Sequence, residues 1–177
     1  MLKSIFGSVL ALSFLLGSPG LSAIAAPPAV ETKQVLNAVT LNDVRSIIDE
    51  LDWTREPSEE IDGFDLVTTY DGWIFHIGTR ICDIKDQPPG CLGIEMLAYW
   101  AMDEVDYNEL ADLINEFNRT SVIGKAYIST ASDSNLAAWV ARYVITDNGI
   151  SSKNIYANLI EFNAALAAFD EELDVLY

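Results

Sequence analysis

The chain has 177 residues, with 27 Asp and Glu against 10 Lys and Arg, a formal net charge of −17 at pH 7. A field this negative repels phosphate backbones, and no basic run offsets it locally, so nucleic acid is excluded as a direct partner. The acidity reads first as a means of solubility, with an acidic face for cationic partners as the alternative.

Met1, Leu2 and Lys3 precede an apolar run from Ile5 to Leu16, which gives way to Gly17, Pro19 and Gly20. One positive charge, about twelve mostly apolar residues and a small-residue exit are the parts of a secretory signal. Ala23 and Ala25 hold the small-residue positions, so residues 1–25 are expected to be cleaved, leaving Ala26 as the terminus. An uncleaved anchor needs roughly 18 to 20 apolar residues, and this run is shorter. No cysteine near the cut can carry a lipid. The expected product is periplasmic or secreted, not a lipoprotein, with no membrane span.

Taking 25 residues from 177 leaves 152, and losing Lys3 moves the charge from −17 to −18. That length fits one domain, burying roughly 68 to 70% of its unfolded surface. The two cysteines, Cys82 and Cys91, read first as a disulfide in an exported protein. Such a bridge closes a short loop containing Pro88, Pro89 and Gly90, and contributes roughly 2 to 3 kcal/mol. A metal site needs further ligands, and His76, the single histidine, cannot complete one. Neither metal nor cofactor is expected.

Residues 26–39 show no sustained period and read as a mobile leader, with the domain over 40–177. A first helix starts at Thr40, with Asp43 suited to its positive end and Leu41, Val44, Ile47, Ile48 and Leu51 on one face. Residues 55–62 are polar and acidic and read as a loop. Two strands, Phe64 to Tyr70 and Trp73 to Thr79, flank Asp71-Gly72, a dipeptide that supplies the positive φ angles of a tight hairpin. After a turn over Lys85 to Gly90, a third strand places Leu92, Ile94, Met96, Ala98 and Trp100 on one face, and the cysteines pin its register. Asp106, with Glu109, opens a second helix whose apolar face carries Tyr107, Leu110, Ile114 and Phe117. Strands follow over Val122 to Ser129 and Leu136 to Ile145, joined through Ser132, Asp133, Ser134 and Asn135. A final helix, capped by Ser151 or Ser152, aligns Ile155, Leu159, Phe162, Leu166, Phe169 and Leu173. The expected fold is α+β, a two-layer sandwich in the order α-β-β-β-α-β-β-α, three helices covering one face of a five-stranded antiparallel sheet.

The run Ile114, Asn115, Glu116, Phe117, Asn118 and Arg119, followed by Gly124, Lys125, Ala126 and Tyr127, resembles the YbjN family. There an Asn, an aromatic, an Asn and often an Arg close a helix ahead of a strand with a basic-small-aromatic ending. The element order extends the likeness over about residues 40 to 172, and Cys82 and Cys91 look like the paired cysteines of exported members. Phe117 stands where Trp is more usual. The resemblance implies a fold similar to type III secretion chaperones, which are commonly dimeric binders of other proteins, and a role as sensory transduction regulator. Fold likeness alone transfers no activity. Read from the residues, Asn115 and Asn118 end the helix by satisfying free carbonyls or turning left-handed, a structural role ahead of a binding one. Asn118, Arg119 and Thr120 also match a glycosylation sequon, a chance match in a bacterial-looking chain.

Any Ser-His-Asp or Cys-His mechanism would run through His76, which lies mid-strand with no nucleophile signature beside it and reads as a surface or hydrogen-bonded residue. Carboxylate pairs for glycoside hydrolysis cannot be picked out among 27 acids. Asp103, Glu104 and Asp106 do not keep calcium-loop spacing. Of Trp53, Trp73, Trp100 and Trp139, possible lining of a ligand groove, Trp73 and Trp100 fall in the strand alternation and read as core. Phe162, Phe169 and Leu173 are expected on the sheet, with a second subunit as the other candidate. The leading expectation is a non-catalytic protein-binding or regulatory domain, as a homodimer. The alternative is a small-ligand binder or hydrolase using His76 with carboxylates; a deep cleft gathering the imidazole with acids would overturn the leading expectation.

Overall fold

The computed structural model describes residues 35–85, 89–130, 136–147 and 149–176. The expected signal, the leader up to residue 34 and the Ser132 to Asn135 turn lie outside those residues. In chain order the elements are β1 (Val35–Leu36), α1 (Leu41–Glu50), β2 (Thr54–Pro57), β3 (Phe64–Thr68), β4 (Ile74–Cys82), β5 (Cys91–Met102), α2 (Tyr107–Thr120), β6 (Lys125–Thr130), β7 (Leu136–Ile145), β8 (Ile150–Ser151) and α3 (Ser152–Leu173).

Each helix starts where its sequence provides an acceptor for the free amides of the first turn. Thr40 and Asp43 form a reciprocal capping box: Asp43 N–H donates to Thr40 Oγ1 at 3.2 Å, and Thr40 N–H to Asp43 Oδ2 at 2.8 Å. Asp106 takes the N–H groups of Asn108 and Glu109, and Ser151 takes that of Asn154. Replacing such a cap with Ala typically costs about 1 kcal/mol.

The sheet has six strands, all neighbours antiparallel, in the order β2-β3-β4-β5-β7-β6. The expected five-stranded count is thus corrected. The extra strand is β2, inside the stretch read as a loop. Thr54, Arg55, Glu56 and Pro57 carry no apolar alternation, because all four are exposed and only their backbone joins β3. The leader expectation also fails at its end. Val39 is fully buried and exchanges two backbone hydrogen bonds with Cys91, while Val35 and Leu36 pair with Ser151 and Ile150. The β3–β4 hairpin uses three loop residues, not two: Gly72 N–H donates to Thr69 C=O, Thr69 N–H to Trp73 C=O, and only Gly72 is left-handed.

One face of the sheet carries Val67, Phe75, Ile77, Ile94, Met96, Ala98, Ala138 and Val140, and the three helices pack on it. The α3 stripe, Ile155 to Leu173, is buried along its whole length. Phe162, Phe169 and Leu173 therefore belong to the domain's own core and are unavailable to a second subunit. Edge-to-face rings tie the layers: Trp53 on Phe75, Phe75 on Phe162, and both Phe117 and Trp100 on Phe169. Trp100 also donates its indole N–H to Asp170 at 2.9 Å. Tyr107, expected on the buried side of α2, is exposed, since the apolar contact begins one turn later at Leu110. Among the described residues one carboxylate is buried in the core, Asp65, which is 1% exposed and held by Arg45 of α1 through two hydrogen bonds of 2.7 and 2.8 Å. Cys82 and Cys91 are cross-strand partners and are disulfide-bonded, with Cα atoms 3.9 Å apart.

Candidate binding face

Because side chains alternate along a strand, the second face of the sheet is fixed by the same register. It carries Leu66 on β3, His76 on β4, Leu97 and Tyr99 on β5, Trp139 on β7 and Tyr127 on β6. Tyr99 is the direct partner of Trp139, and Trp139 of Tyr127. Their ring centroids are 4.9 and 6.1 Å apart, and the His76 ring stacks at 6.4 Å on Tyr99. The result is a row of four rings across β4, β5, β7 and β6. Tyr99 and Tyr127 are each 43% exposed. Trp139 donates its indole N–H to Ser129 Oγ at 2.8 Å, which fixes the ring. Of the four tryptophans, Trp73 and Trp100 serve the core, as the alternation implies, Trp53 joins them there, and Trp139 stands on this outer face.

Two glycines on this face are seats for neighbouring rings. A Cβ on Gly78 would lie 2.5 Å from the Phe64 ring, and one on Gly93 would lie 2.0 Å from the Tyr143 hydroxyl. The Arg80 guanidinium covers Phe64 at 4.3 Å from the ring centre and is held by Glu95 at 2.6 Å.

At the β2 end the row runs into a recess of about 470 Å³, lined by Glu56, Pro57, Ser58, Glu59, Glu60, Leu66 and His76. A second hollow, about 280 Å³, shares Glu60, Leu66 and His76 and extends to Ile74, Ala98 and Tyr99. His76 is 3% exposed and both ring nitrogens are engaged. Nε2 lies 3.3 Å from Glu60 Oε2, and Nδ1 lies 3.0 Å from Ser58 Oγ. Tyr99 donates to the other Glu60 oxygen at 3.3 Å. Burial pushes the imidazole below its usual value, against the opposing pull of Glu60. Burial also raises the Tyr99 phenol, with Glu60 adding to it. Of the two sequence readings of His76, surface or hydrogen-bonded, the burial rules out the first and the contacts to Ser58 and Glu60 match the second. Its partners were not legible, because Ser58 and Glu60 reach it only through the fold-back of the β2–β3 connection.

The motif residues sit elsewhere. Asn118 spans from the end of α2 to the outer strand: its side-chain NH2 donates to Ala126 C=O at 2.8 Å, and its Oδ1 accepts Ala126 N–H at 2.8 Å. It ends no helix by a left-handed turn. It pairs with the β6 backbone as another strand would, so the sequon asparagine is already in use. Phe117 is buried against Phe169, Arg119 is exposed and paired with Glu116, and Asn115 is exposed. Lys125 donates to the carbonyls of Asn118 and Ser121, both at 2.9 Å, and closes the same junction. The motif is thus a joint between helix and sheet, about half a sheet away from His76 in strand order.

Among the described residues no helix is long and apolar enough to cross a membrane. No curated protein matches the chain. Among solved structures it is similar to the crystal structure of YbjN, "a putative transcription regulator from E. coli", at 15% identity and a TM-score of 0.63, covering 80% of this chain and 96% of that one. At that identity the likeness concerns the fold alone. A family model matches residues 40–175, that of YbjN, described as "Putative bacterial sensory transduction regulator". With the three helices, the whole six-stranded sheet and the motif joint inside that span, the chain belongs to the YbjN family.

Proposed function

We propose that this is an exported, non-catalytic regulatory domain that holds another polypeptide against the outer face of its sheet, in the manner of a type III secretion chaperone and as a homodimer. The observation that carries the reading is the row His76, Tyr99, Trp139 and Tyr127 with its adjoining recess, on the sheet face away from the helices. Partly exposed aromatics combine large contact area with low conformational entropy, which suits them to protein interfaces. The regulatory role follows the family description, and export follows the signal-like N-terminus.

The test uses the mature chain, residues 26–177, at pH 7.5. Light scattering should give twice the monomer mass, and capture from periplasmic extract should enrich a partner that a Tyr127→Ala/Trp139→Ala variant loses. A strict monomer that enriches nothing, or a partner retained by that variant, would overturn the reading.

One observation favours the small-ligand or hydrolase alternative: Ser58, His76 and Glu60 stand in hydrogen-bond order at a recess. Against nucleophilic use, Ser58 Oγ accepts the amides of Glu60 and Ile61 at 3.2 and 3.0 Å, which occupies the lone pairs an attack requires. A loss of function in Ser58→Ala matched by an equal loss in His76→Ala, with partner capture intact, would restore the catalytic reading.

A further inference from the structure

We infer that protonation of His76 releases the Ser58 to Ile61 turn, so that mild acid reshapes the wall of the recess beside the proposed binding face. The inference deepens that reading and depends on it for its consequence, although the device itself is a property of the isolated domain.

The argument is an accounting of hydrogen-bond capacity. A carboxylate only accepts, so the contact between His76 Nε2 and Glu60 places the ring proton on Nε2. Nδ1 then presents a lone pair, and the Ser58 hydroxyl must donate to it across 3.0 Å. The two lone pairs of Ser58 Oγ are taken by the N–H groups of Glu60 and Ile61. In this state every group at the centre of the site is satisfied. A proton arriving at Nδ1 makes that nitrogen a donor and brings it against a hydroxyl with no free lone pair. Ser58 must then surrender an amide of the turn, or rotate away from the ring. Either way the turn loses an acceptor that fixes it.

The groups that face the ring decide when this happens. Glu60 attracts the proton, and Glu56 and Glu59 line the same recess. Tyr99 from β5 is neutral and spends its hydroxyl on Glu60. Leu66 of β3 and Leu97 of β5, directly opposite His76 in the register, bring no charge. Along β4 the nearest charge is Arg80, paired with Glu95. Burial outweighs the pull of Glu60, so the neutral, closed state holds at neutral pH. An exported domain meets the acidity of its surroundings directly, which makes such a turn responsive where a cytoplasmic one would be buffered.

The single imidazole permits a direct test on the isolated mature protein, with its Cε1–H resonance followed by NMR from pH 8 to 4.5. The midpoint should fall below the usual value of about 6.5, and the amides of Glu60 and Ile61 should exchange about tenfold faster below it, after correction for intrinsic rates. In Ser58→Ala the midpoint should rise and those two amides should become indifferent to pH. Glu60→Gln, which keeps an acceptor for Nε2 and removes the charge, should lower the midpoint further. A wild-type midpoint at or above 6.5, or amide protection unchanged across it, would overturn the inference. Because no partner is present, either result leaves the capture experiment at pH 7.5 to be judged separately.

Discussion

Asn118→Ala tests the joint between helix and sheet most directly. The substitution removes two hydrogen bonds of 2.8 Å and leaves both backbone groups of Ala126, a residue only 5% exposed, without their partner. A net hydrogen bond is worth about 1 kcal/mol, and an abandoned buried group costs about 1 to 3 kcal/mol. Partial access of water at an outer strand discounts the sum, so the expected loss is about 2 to 4 kcal/mol. For a domain of this size that lowers the thermal midpoint by roughly 5 to 15 °C. Urea unfolding of the mature chain measures it, with tryptophan fluorescence as the probe. Hydrogen exchange should show the Ala126 amide opening ahead of its neighbours. Asn118→Asp keeps the acceptor for Ala126 N–H but sets a carboxylate against Ala126 C=O, and should be no better than Ala. If Asn118→Ala unfolds within about 0.5 kcal/mol of wild type, the joint is not what the motif secures, and the reasoning fails.

Three further outcomes are expected. Arg45→Ala strands the Asp65 carboxylate inside the core. Breaking a buried pair costs about 3 to 5 kcal/mol, and because Arg45 is itself a third exposed the expected loss is about 2 to 4 kcal/mol, seen in urea denaturation; Arg45→Met with Asp65→Leu should recover part of it. Material from an oxidising compartment should show no free thiol, and Cys82→Ser/Cys91→Ser should lose roughly 2 to 3 kcal/mol from the short loop it opens. For His76 the folded domain disfavours the proton, so the unfolded chain binds it first as pH falls. The contribution is fully present above about pH 6.5 and is lost as pH drops toward the lowered folded value. His76→Gln should flatten that part of the stability curve measured by denaturation at fixed pH steps, and an unchanged slope would show that carboxylates alone set it.

The parts of this fold that were legible in the sequence are those where burial writes a period into the chain. The stripe from Ile155 to Leu173 and the alternation from Leu92 to Trp100 read correctly because one face of each element meets the core, and the caps at Thr40 and Asp106 because polar acceptors precede their helices; of Ser151 and Ser152, Ser151 is the cap. β2 left no such trace: its four residues are exposed and it is held by backbone alone. Val39 was lost because Val35, Leu36, Ala38 and Val39 keep neither a helical nor an alternating period, and only Val39 is buried. Trp139 lies in the apolar run Ala137, Ala138, Trp139, Val140 and Ala141, so no alternation of polar and apolar residues revealed which way it faced. Ser58, Glu60 and His76 are brought together by a connection folding back over β3, and local sequence carries no record of that path. Asn118 was visible as a motif, but its partner, Ala126, is reached through backbone atoms that any residue possesses.

The two rims of the sheet have a shared property. Pro57, at one, brings no amide proton, and its neighbours Arg55 and Glu56 are charged; at the other, a side-chain amide already occupies Ala126. A stray strand therefore meets obstruction on either flank. Edge-to-edge addition of further strands is discouraged at both rims.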